Sequence, residues 1–180
     1  MLRPRHVFKV VFIGDPSVGK TSIVAKHISR SFKENYIPTL GVNISSKDYD
    51  MAGHSVTLMI WDIAGQEIFK QVREKYYSGA KAAFIVYDVT KPETLENIPT
   101  WFEDLHKFIQ EKVEVVLVEN KIDLPRKVDW TIGQKVANAM KADFIGTSAR
   151  TGENIEKAFE KMVQLLIADS VPTPKKGKKK

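Results

Sequence analysis

Continuous apolar runs alternate with amphipathic stretches along most of the chain. The apolar runs are typical of buried strands and cover residues 7–13, 82–89 and 113–118, and a further short strand is predicted at 143–146. The stretches with helical spacing cover residues 19–30, 93–110, 131–141 and 154–168. Strands that alternate with helices of this length form a parallel sheet with both faces covered. The pattern therefore predicts an α/β fold.

Between the first helix and the second apolar run, the spacing changes. Residues 42–50 and 55–61 predict a β-hairpin, and Ala52-Gly53-His54 forms its turn. The hairpin brings the strand count to six and adds one antiparallel edge strand. We therefore expect a three-layer domain with a mostly parallel six-stranded sheet and helices on both faces.

Length and charge divide the chain into three parts. The 180 residues suit a single domain at 7–168, with an N-terminal extension at 1–6 and a disordered polybasic tail at 169–180. Residues 175–180 contain five lysines, so the remainder has 23 basic against 22 acidic residues although the whole chain has a net charge of +6. The body has no basic groove with interleaved aromatic residues, so no nucleic-acid partner is expected.

The composition excludes several other classes of function and location. The chain has no cysteine, which excludes disulfides, thiolate metal sites and cysteine nucleophiles. No apolar run approaches the ~20 residues of a membrane span, and the N-terminus has no signal-peptide pattern. These features favour a soluble, intracellular, cytoplasmic protein.

The strongest candidate chemistry lies in residues 14–21, which read Gly-Asp-Pro-Ser-Val-Gly-Lys-Thr. This segment follows a predicted strand and opens a predicted helix. Backbone N–H groups of such a loop bind phosphate oxygens at the positive end of the helix dipole. Lys20 is placed to reach the outer phosphates and the Thr21 hydroxyl to bind magnesium. The competing interpretation is a glycine-rich turn that matches the pattern by chance.

Two further polar clusters follow predicted strands. Asp62 comes at the end of the second hairpin strand, and residues 120–123 follow the strand at 113–118. In open parallel sheets, ligands bind at the carboxyl ends of the strands, so these clusters and the loop at 14–21 converge on one site. The polar stretch 32–41, broken by Pro38, predicts a functional loop beside them.

The remaining conspicuous residues are predicted to be structural. His27, His54 and His106 lack metal-ligand spacing and are expected on the surface. The first helix is expected to bury Ile23, Val24 and Ile28. A helical stripe predicts core packing and comprises Trp101, Phe102, Leu105, Phe108 and Ile109.

Five ordered segments give the chain a specific resemblance to a known family. They are Gly14 to Thr21, Thr39, Asp62-Ile63-Ala64-Gly65-Gln66-Glu67, Asn120-Lys121-Ile122-Asp123 and Thr147-Ser148-Ala149-Arg150. Residues 7–168 resemble the small GTPases of the Ras superfamily, and the Rab branch most of all. The Rab-like features are Leu40-Gly41-Val42-Asn43, Trp61 and Lys75-Tyr76-Tyr77-Ser78-Gly79-Ala80.

The resemblance implies a P-loop NTPase G domain that acts as a magnesium-dependent GTP switch. Its expected activity is slow hydrolysis of GTP to GDP and phosphate, in Rab-like membrane trafficking or signalling. Gln66 is expected to orient the attacking water. Magnesium is expected to bind through Thr21, Thr39 and Asp62, with Asp62 acting through a coordinated water.

The residues implied to bind GTP or GDP come from all five segments and from the loop at 32–41. They are Asp15, Ser17, Val18, Gly19, Lys20, Thr21, Ser22, Phe32, Tyr36, Thr39, Gly65, Asn120, Lys121, Asp123, Leu124, Ser148, Ala149 and Arg150. Asp123 supplies a chemical reason for guanine, because a carboxylate can accept from both N1–H and the exocyclic amine of that base. Adenine offers neither donor there and leaves the carboxylate unpaired.

The family's partners are effector, exchange-factor and GTPase-activating proteins, expected to bind residues 32–44 and 61–79. No arginine lies in residues 32–41, so fast hydrolysis is expected to need an arginine from a partner. Rab proteins end in prenylated cysteines, which this sequence lacks, so no covalent lipid anchor is predicted. The tail at 175–180 is expected to give at most weak, peripheral contact with anionic lipid on the cytoplasmic face. A merely solubilising tail is an equal alternative.

Three residues depart from the family pattern. Pro16 removes an N–H from the phosphate loop, Glu119 replaces a usual glycine beside the base site, and Ile68 replaces a usual arginine. Two other functions stay open at this point. A metabolic P-loop kinase would need an arginine-bearing lid, which the sequence lacks, and a GTP-binding scaffold would not hydrolyse its nucleotide.

Overall fold

The sheet has the predicted composition of five parallel strands and one antiparallel edge strand. The computed structural model describes residues 3–32 and 38–170. The strands are β1 (Arg5–Ile13), β2 (Val42–Met51), β3 (His54–Ile63), β4 (Ala80–Asp88), β5 (Glu114–Asn120) and β6 (Asp143–Thr147). Their order across the sheet is β2-β3-β1-β4-β5-β6, and the β2–β3 pair is antiparallel.

Helices cover both faces of this sheet, which confirms the three-layer α/β fold. They are α1 (Lys20–Ser29), α2 (Arg73–Tyr77), α3 (Pro92–Glu96), α4 (Ile98–Phe108), α5 (Trp130–Ala139) and α6 (Ile155–Ser170). One apolar cluster joins the sheet to α1 and α6, and a second joins the opposite face to α2, α3, α4 and α5. None of the described helices is both long enough and apolar enough to cross a bilayer.

The predicted helix at 93–110 is wrong in extent, because the structure divides it at Asn97 into α3 and α4. Pro99 lies in the first turn of α4, where its missing N–H has no partner to lose within the helix. The 3₁₀ helix at Glu67–Val72 and the helix α2 were not predicted. Both are short, and their apolar residues do not repeat long enough to give a helical period.

The predicted burial along α1 is wrong at two neighbouring positions. Ile23 and Val24 are buried as expected, whereas Ile28 is exposed and His27 has only 1% of its surface exposed. The His27 ring stacks on Phe159 at a centroid distance of 3.6 Å. The surface assignment of His27 failed because a sequence pattern counts histidine as polar. Here stacking and two hydrogen bonds satisfy the ring inside the protein.

His27 links three elements as a neutral ring. Its Nδ1 lies 2.9 Å from Glu156 Oε1 on α6, and its Nε2 accepts from the Tyr49 hydroxyl on β2. Burial lowers the pKa of His27 to about 4. The negative charge of Glu156 acts to raise the pKa, and the positive charge of Lys47 acts to lower it. A neutral Nδ1–H tautomer therefore fits both neighbours, since one nitrogen donates and the other accepts.

We expect the free energy of unfolding to fall as the pH drops from 6.5 to 4, because in this range His27 binds a proton in the unfolded chain but stays neutral in the folded protein. The loss between pH 6.5 and 4.5 is about 2 kcal/mol from this histidine. Denaturant titrations at several pH values measure it. His27→Gln is expected to flatten the pH dependence and His106→Gln, at an exposed position, to leave it unchanged. Equal pH dependence in wild type and His27→Gln would contradict the assignment.

Candidate nucleotide-binding site

The segment at 14–21 connects β1 to α1, as the pattern of an apolar run, a loop and a helix predicts. Gly19 begins α1 with φ +104°, and no side chain caps the helix there. A Cβ at Gly19 would lie 2.2 Å from Asn120 Nδ2, so a larger residue cannot fit without moving the loops apart. The first N–H groups of α1 are therefore free to face an anion.

Lys20 is a buried cation held by carbonyls of this same loop. Its Nζ donates to Gly14 O and to Asp15 O, both at 2.7 Å. Burial lowers the pKa of Lys20 to about 8, and the positive charge of Arg73 lowers it further. The negative charges of Asp62 and Asp15 partly offset this by raising the pKa. An anion bound beside the ammonium would remove this penalty by favouring the charged form.

Asn120 and Lys121 tie the end of β5 to the phosphate loop. Asn120 Nδ2 donates to Val18 O at 2.9 Å, and Lys121 Nζ donates to Ser17 O at 2.9 Å. Lys121 also forms an ion pair of 2.6 Å with buried Asp88 at the end of β4. Ser17 and Lys121 both adopt positive φ, at 65° and 68°. Two strained residues in contact are typical of a functional site.

Asp123 lies on the same wall as Asn120, with an exposed side chain. Its Oδ1 accepts from the Ser148 hydroxyl at 2.6 Å, which fixes the orientation of the carboxylate. The Ser148 segment is itself anchored, because Asn120 Oδ1 accepts from Ala149 N at 3.3 Å and from Thr147 Oγ1 at 3.1 Å. The loops after β5 and β6 thus form one unit, and Asp123 lines the cleft.

Three hydroxyl and carboxylate side chains from separate segments meet beside Lys20. Thr21 Oγ1 lies 2.6 Å from Thr39 Oγ1 and donates to Asp62 Oδ2 at 2.5 Å. Burial raises the pKa of Asp62. The hydrogen bond from Thr21, the charge of Lys20 and a hydrogen bond from Asn43 lower the pKa and offset part of this rise. Asp62 Oδ1 is buried without a partner among the described residues. An unpaired carboxylate oxygen beside two hydroxyls suits a hard cation.

Asn43 is a part of this site that the residue types alone did not identify. It faces Asp62 in the β2–β3 register and lines the cleft. The signal for it is positional. Once the hairpin register is known, the residue opposite the carboxylate is fixed.

These groups surround one cleft with a volume of about 960 Å³. Most of the predicted nucleotide-binding residues line it, namely Ser17, Gly19, Lys20, Thr21, Ser22, Phe32, Thr39, Gly65, Asn120, Lys121, Asp123, Leu124, Ala149 and Arg150, together with Gln66. Lining residues that were not predicted are Pro16, Ala25, Pro38, Leu40, Asn43 and Ala64. The cleft is large enough for a nucleotide-sized ligand.

Four predicted site residues in the described part of the chain do not line the cleft, namely Asp15, Val18, Asp62 and Ser148. Val18 and Ser148 are buried behind it and hold Asn120 and Asp123 through the hydrogen bonds already described. The Asp15 carboxylate turns to α4, where it accepts from Asn97 Nδ2 and Trp101 Nε1, both at 2.7 Å. Tyr36 lies outside the described residues.

Glu119, which replaces a usual glycine next to the base site, is buried and does not line the cleft. Its side chain is 1% exposed and accepts two hydrogen bonds from Arg126, at 2.6 and 2.7 Å. The Tyr87 hydroxyl donates to the same carboxylate at 2.8 Å. Gly146 on β6 gives it room, because a Cβ there would lie 2.9 Å from Glu119 Oε1.

A sequence model of the Ras family matches residues 9–168. The chain belongs to the Ras family of small GTPases. Ras-related protein RabC of Dictyostelium discoideum is 35% identical over 166 residues, which cover 90% of this chain and 85% of that protein. Ras-related protein Rab-1A of the same organism is 35% identical over 180 residues, which cover 97% of this chain and 89% of that protein.

These matches confirm the resemblance to the Rab branch and the Ras-like P-loop fold. This Rab-like protein is a GTPase that binds GTP and GDP and has regulator and effector partners. The kinase and non-hydrolysing alternatives are therefore not supported. The residues that match the family model include the phosphate loop after β1 and the loops after β5 and β6.

Proposed function

We propose that this GTPase is a magnesium-dependent switch with slow intrinsic hydrolysis, and that its γ-phosphate-sensitive loops bind effectors. The observation that carries the proposal is the meeting of Thr21, Thr39 and Asp62 from three separate segments. Thr39 belongs to the loop before β2 and Asp62 to the end of β3. A ligand that binds at this point can therefore change the conformation of both segments.

The donor set at this point fits magnesium. Two hydroxyls and one carboxylate are oxygen ligands, and few protein ligands leave room for the waters that magnesium retains. Among the described residues there is no group of three or more histidine, cysteine or acidic side chains that could hold a metal ion, so a cation at this point depends on the two hydroxyls beside Asp62. Magnesium, when bound, neutralises charge on the outer phosphate oxygens. Thr21 and Thr39 would hold it directly, and Asp62 through a water.

The remaining phosphate contacts come from the chain itself. The N–H groups of residues 18–21 would hold the inner phosphates, Lys20 would reach the outer ones, and Gly65 N–H would contact the γ-phosphate. Asp123 would accept from the guanine base, with Asn120 and Lys121 bracing that wall of the cleft. Loss of the γ-phosphate would release Thr39 and Gly65 together, which is the expected switch.

Exposed apolar residues lie next to the two responsive segments. Leu40 is 81% exposed and Ile44 51% exposed, and the half-buried Trp61 and Tyr76 rings approach each other at 6.5 Å. Tyr77 is fully buried and offers no contact surface. We assign effector, exchange-factor and GTPase-activating partners to residues 32–44 and 61–79 on this basis. Rab-like membrane trafficking is the pathway class proposed for them.

Magnesium-dependent guanine specificity is the first test of this proposal. Titration of the wild-type protein with GTP, GDP and ATP, with and without magnesium, is expected to give tight binding of both guanine nucleotides and weak binding of ATP. Chelation of magnesium is expected to weaken GTP binding. Equal affinity for ATP and GTP would overturn the guanine assignment, and GTP affinity that is unaffected by chelation would overturn the metal assignment.

Gln66→Leu is expected to slow intrinsic GTP hydrolysis by about 10²-fold, because the side chain that orients the attacking water is lost and misplacement of a reactant can cost that much. Gln66 lines the cleft, and its Oε1 is buried without a partner among the described residues. Single-turnover phosphate release measures the rate. GDP affinity is the control and is expected to stay within about twofold of wild type. An unchanged rate would remove Gln66 from the mechanism, and a wild-type rate near ~1 s⁻¹ would contradict slow hydrolysis.

Membrane association remains a sequence-based proposal. The Lys175–Lys180 segment lies outside the described residues, and its proposed contact with anionic lipid rests on its five lysines. Each lysine near such a surface contributes about 1 kcal/mol, which is reduced by salt. This gives a weak, reversible attachment at the cytoplasmic face of a membrane.

A further inference from the structure

Arg73 at the start of α2 is a buried cation outside the set of residues predicted to bind nucleotide. Only 3% of its surface is exposed. A buried charge is costly unless polar groups compensate it, so the contacts of a buried guanidinium indicate what the side chain does. Arg73 contacts the Gly65–Gln66 segment, which lines the cleft, and it also contacts helix α4.

The first set of contacts reaches the segment that follows Asp62. Arg73 Nη2 donates to Gly65 O at 3.3 Å and to Gln66 O at 3.4 Å. These carbonyls belong to the two peptide groups on either side of Gln66. Because each peptide group is planar, holding both carbonyls fixes the backbone from which the Gln66 side chain projects.

The second set of contacts anchors Arg73 to α4. Its guanidinium lies 4.1 Å from the centroid of the Trp101 ring, and its Nη1 lies 3.5 Å from Asp104 Oδ2. Trp101 in turn donates to Asp15 Oδ1 in the phosphate loop. One continuous set of side chains therefore runs from the phosphate loop through α4 to the Gly65–Gln66 backbone. Arg73 Nε has no hydrogen-bond partner among the described residues.

The Gly65 backbone itself is packed against the phosphate loop. A Cβ at Gly65 would lie 2.5 Å from Gly14 O and 2.7 Å from Pro16 N. The segment therefore has little room on that side, and Arg73 holds its carbonyls on the other. This leaves the amide groups of the segment as the polar groups available to a ligand in the cleft.

Charge supports the same interpretation. Arg73 is close enough to Lys20 to lower the pKa of that buried lysine. Asp104 compensates part of the Arg73 charge, and the positive charge that remains near Lys20 favours the ligand with more negative charge, which is a nucleoside triphosphate rather than a diphosphate. Both the fixed backbone and the charge therefore act on the phosphate that distinguishes GTP from GDP.

We propose that Arg73 is a positioning residue that fixes the Gly65–Gln66 backbone for the γ-phosphate and so raises the affinity for GTP relative to GDP. The inference rests on the proposed function, in which the γ-phosphate contacts Gly65. Arg73 acts through these two residues without touching the nucleotide. The same positioning supports hydrolysis, because Gln66 orients the water.

The test compares Arg73→Ala, Arg73→Lys and the matched control Lys107→Ala, which removes an exposed cation from α4, the helix that anchors Arg73. Affinities are measured for GDP and for the β,γ-imido analogue of GTP. Arg73→Ala is expected to lower analogue affinity about tenfold, since two hydrogen bonds from a charged donor are lost, and to leave GDP affinity within about twofold. Lys107→Ala is expected to match the wild type for both nucleotides.

Arg73→Lys keeps the charge but not the planar fork, so the ratio of analogue to GDP affinity is expected to fall by about threefold. This variant carries the test if Arg73→Ala does not fold. An equal loss of affinity for both nucleotides, or an unchanged ratio in the folded variants, overturns the proposal. Wild-type protein that binds GTP no better than ATP would instead overturn the proposed function, so the two failures are distinguishable.

Discussion

Asp123→Asn is expected to lower the affinity for GTP and GDP by about 10²- to 10⁴-fold. In the proposed function the carboxylate accepts two hydrogen bonds from guanine, and a bond to a charged group contributes about 1.5–3 kcal/mol. The amide keeps one acceptor but turns a donor towards the guanine amine, which is also a donor. Equilibrium titration with labelled GDP at fixed magnesium measures the change.

The same substitution is expected to create a new preference. Xanthine has a carbonyl where guanine has the exocyclic amine, so the amide of Asp123→Asn can donate to it and accept from N1–H. Xanthosine diphosphate should therefore bind the variant more tightly than GDP does. Asp143→Asn, at a half-buried position on β6 outside the cleft, is the control and should leave the preference for guanine unchanged. A variant that retains wild-type GDP affinity would remove Asp123 from the base site.

Arg126→Ala is expected to lower the free energy of unfolding by about 3–5 kcal/mol, because it leaves the buried Glu119 carboxylate without its charged partner. The Tyr87 hydroxyl remains as a hydrogen-bond donor but carries no compensating charge. Chemical denaturation measures the loss. The arginine itself is partly exposed, so the lost packing around it is the smaller contribution.

The double substitution of Glu119 and Arg126 by methionine separates the two causes. Replacement of both partners of a buried ion pair by apolar residues is often neutral, so the double variant should regain part of the stability that Arg126→Ala loses; the buried Tyr87 hydroxyl, which then lacks its acceptor, limits the recovery. A double variant as unstable as Arg126→Ala would show that packing at this position matters more than the buried charge. Asn120 is the next residue after Glu119. We therefore expect GDP affinity to fall where the free energy of unfolding falls and to recover where it recovers.

The fold was largely predictable from the sequence because its strands are buried and its helices amphipathic. The six strands and the helices α1, α5 and α6 follow the apolar spacing to within a few residues at each end. The short α2 was missed, although it carries Arg73. Five residues are too few for a helical period, and this helix is held by packing against α4.

The site divides in the same way. The phosphate loop, Asp62 and residues 120–123 were predicted because each is a short local motif after a strand. Asn43, Arg73 and the buried state of His27 were not, because each depends on a neighbour distant in sequence. Arg73 looks like an ordinary surface cation until α4 places Trp101 and Asp104 beside it.

The sequence by itself determined the α/β class, the order of the strands and helices, and the residue types that can bind phosphate, magnesium and guanine. It could do so because hydrophobic periodicity and loop motifs are local properties of the chain. Only the tertiary structure decided which side chains meet. It brought Thr21, Thr39 and Asp62 together, turned Asp15 and Glu119 away from the cleft, and fixed the Gly65–Gln66 backbone with Arg73. The physical reason is that hydrogen bonds and burial depend on distances between segments far apart in the chain, which the spacing of residues along it does not specify.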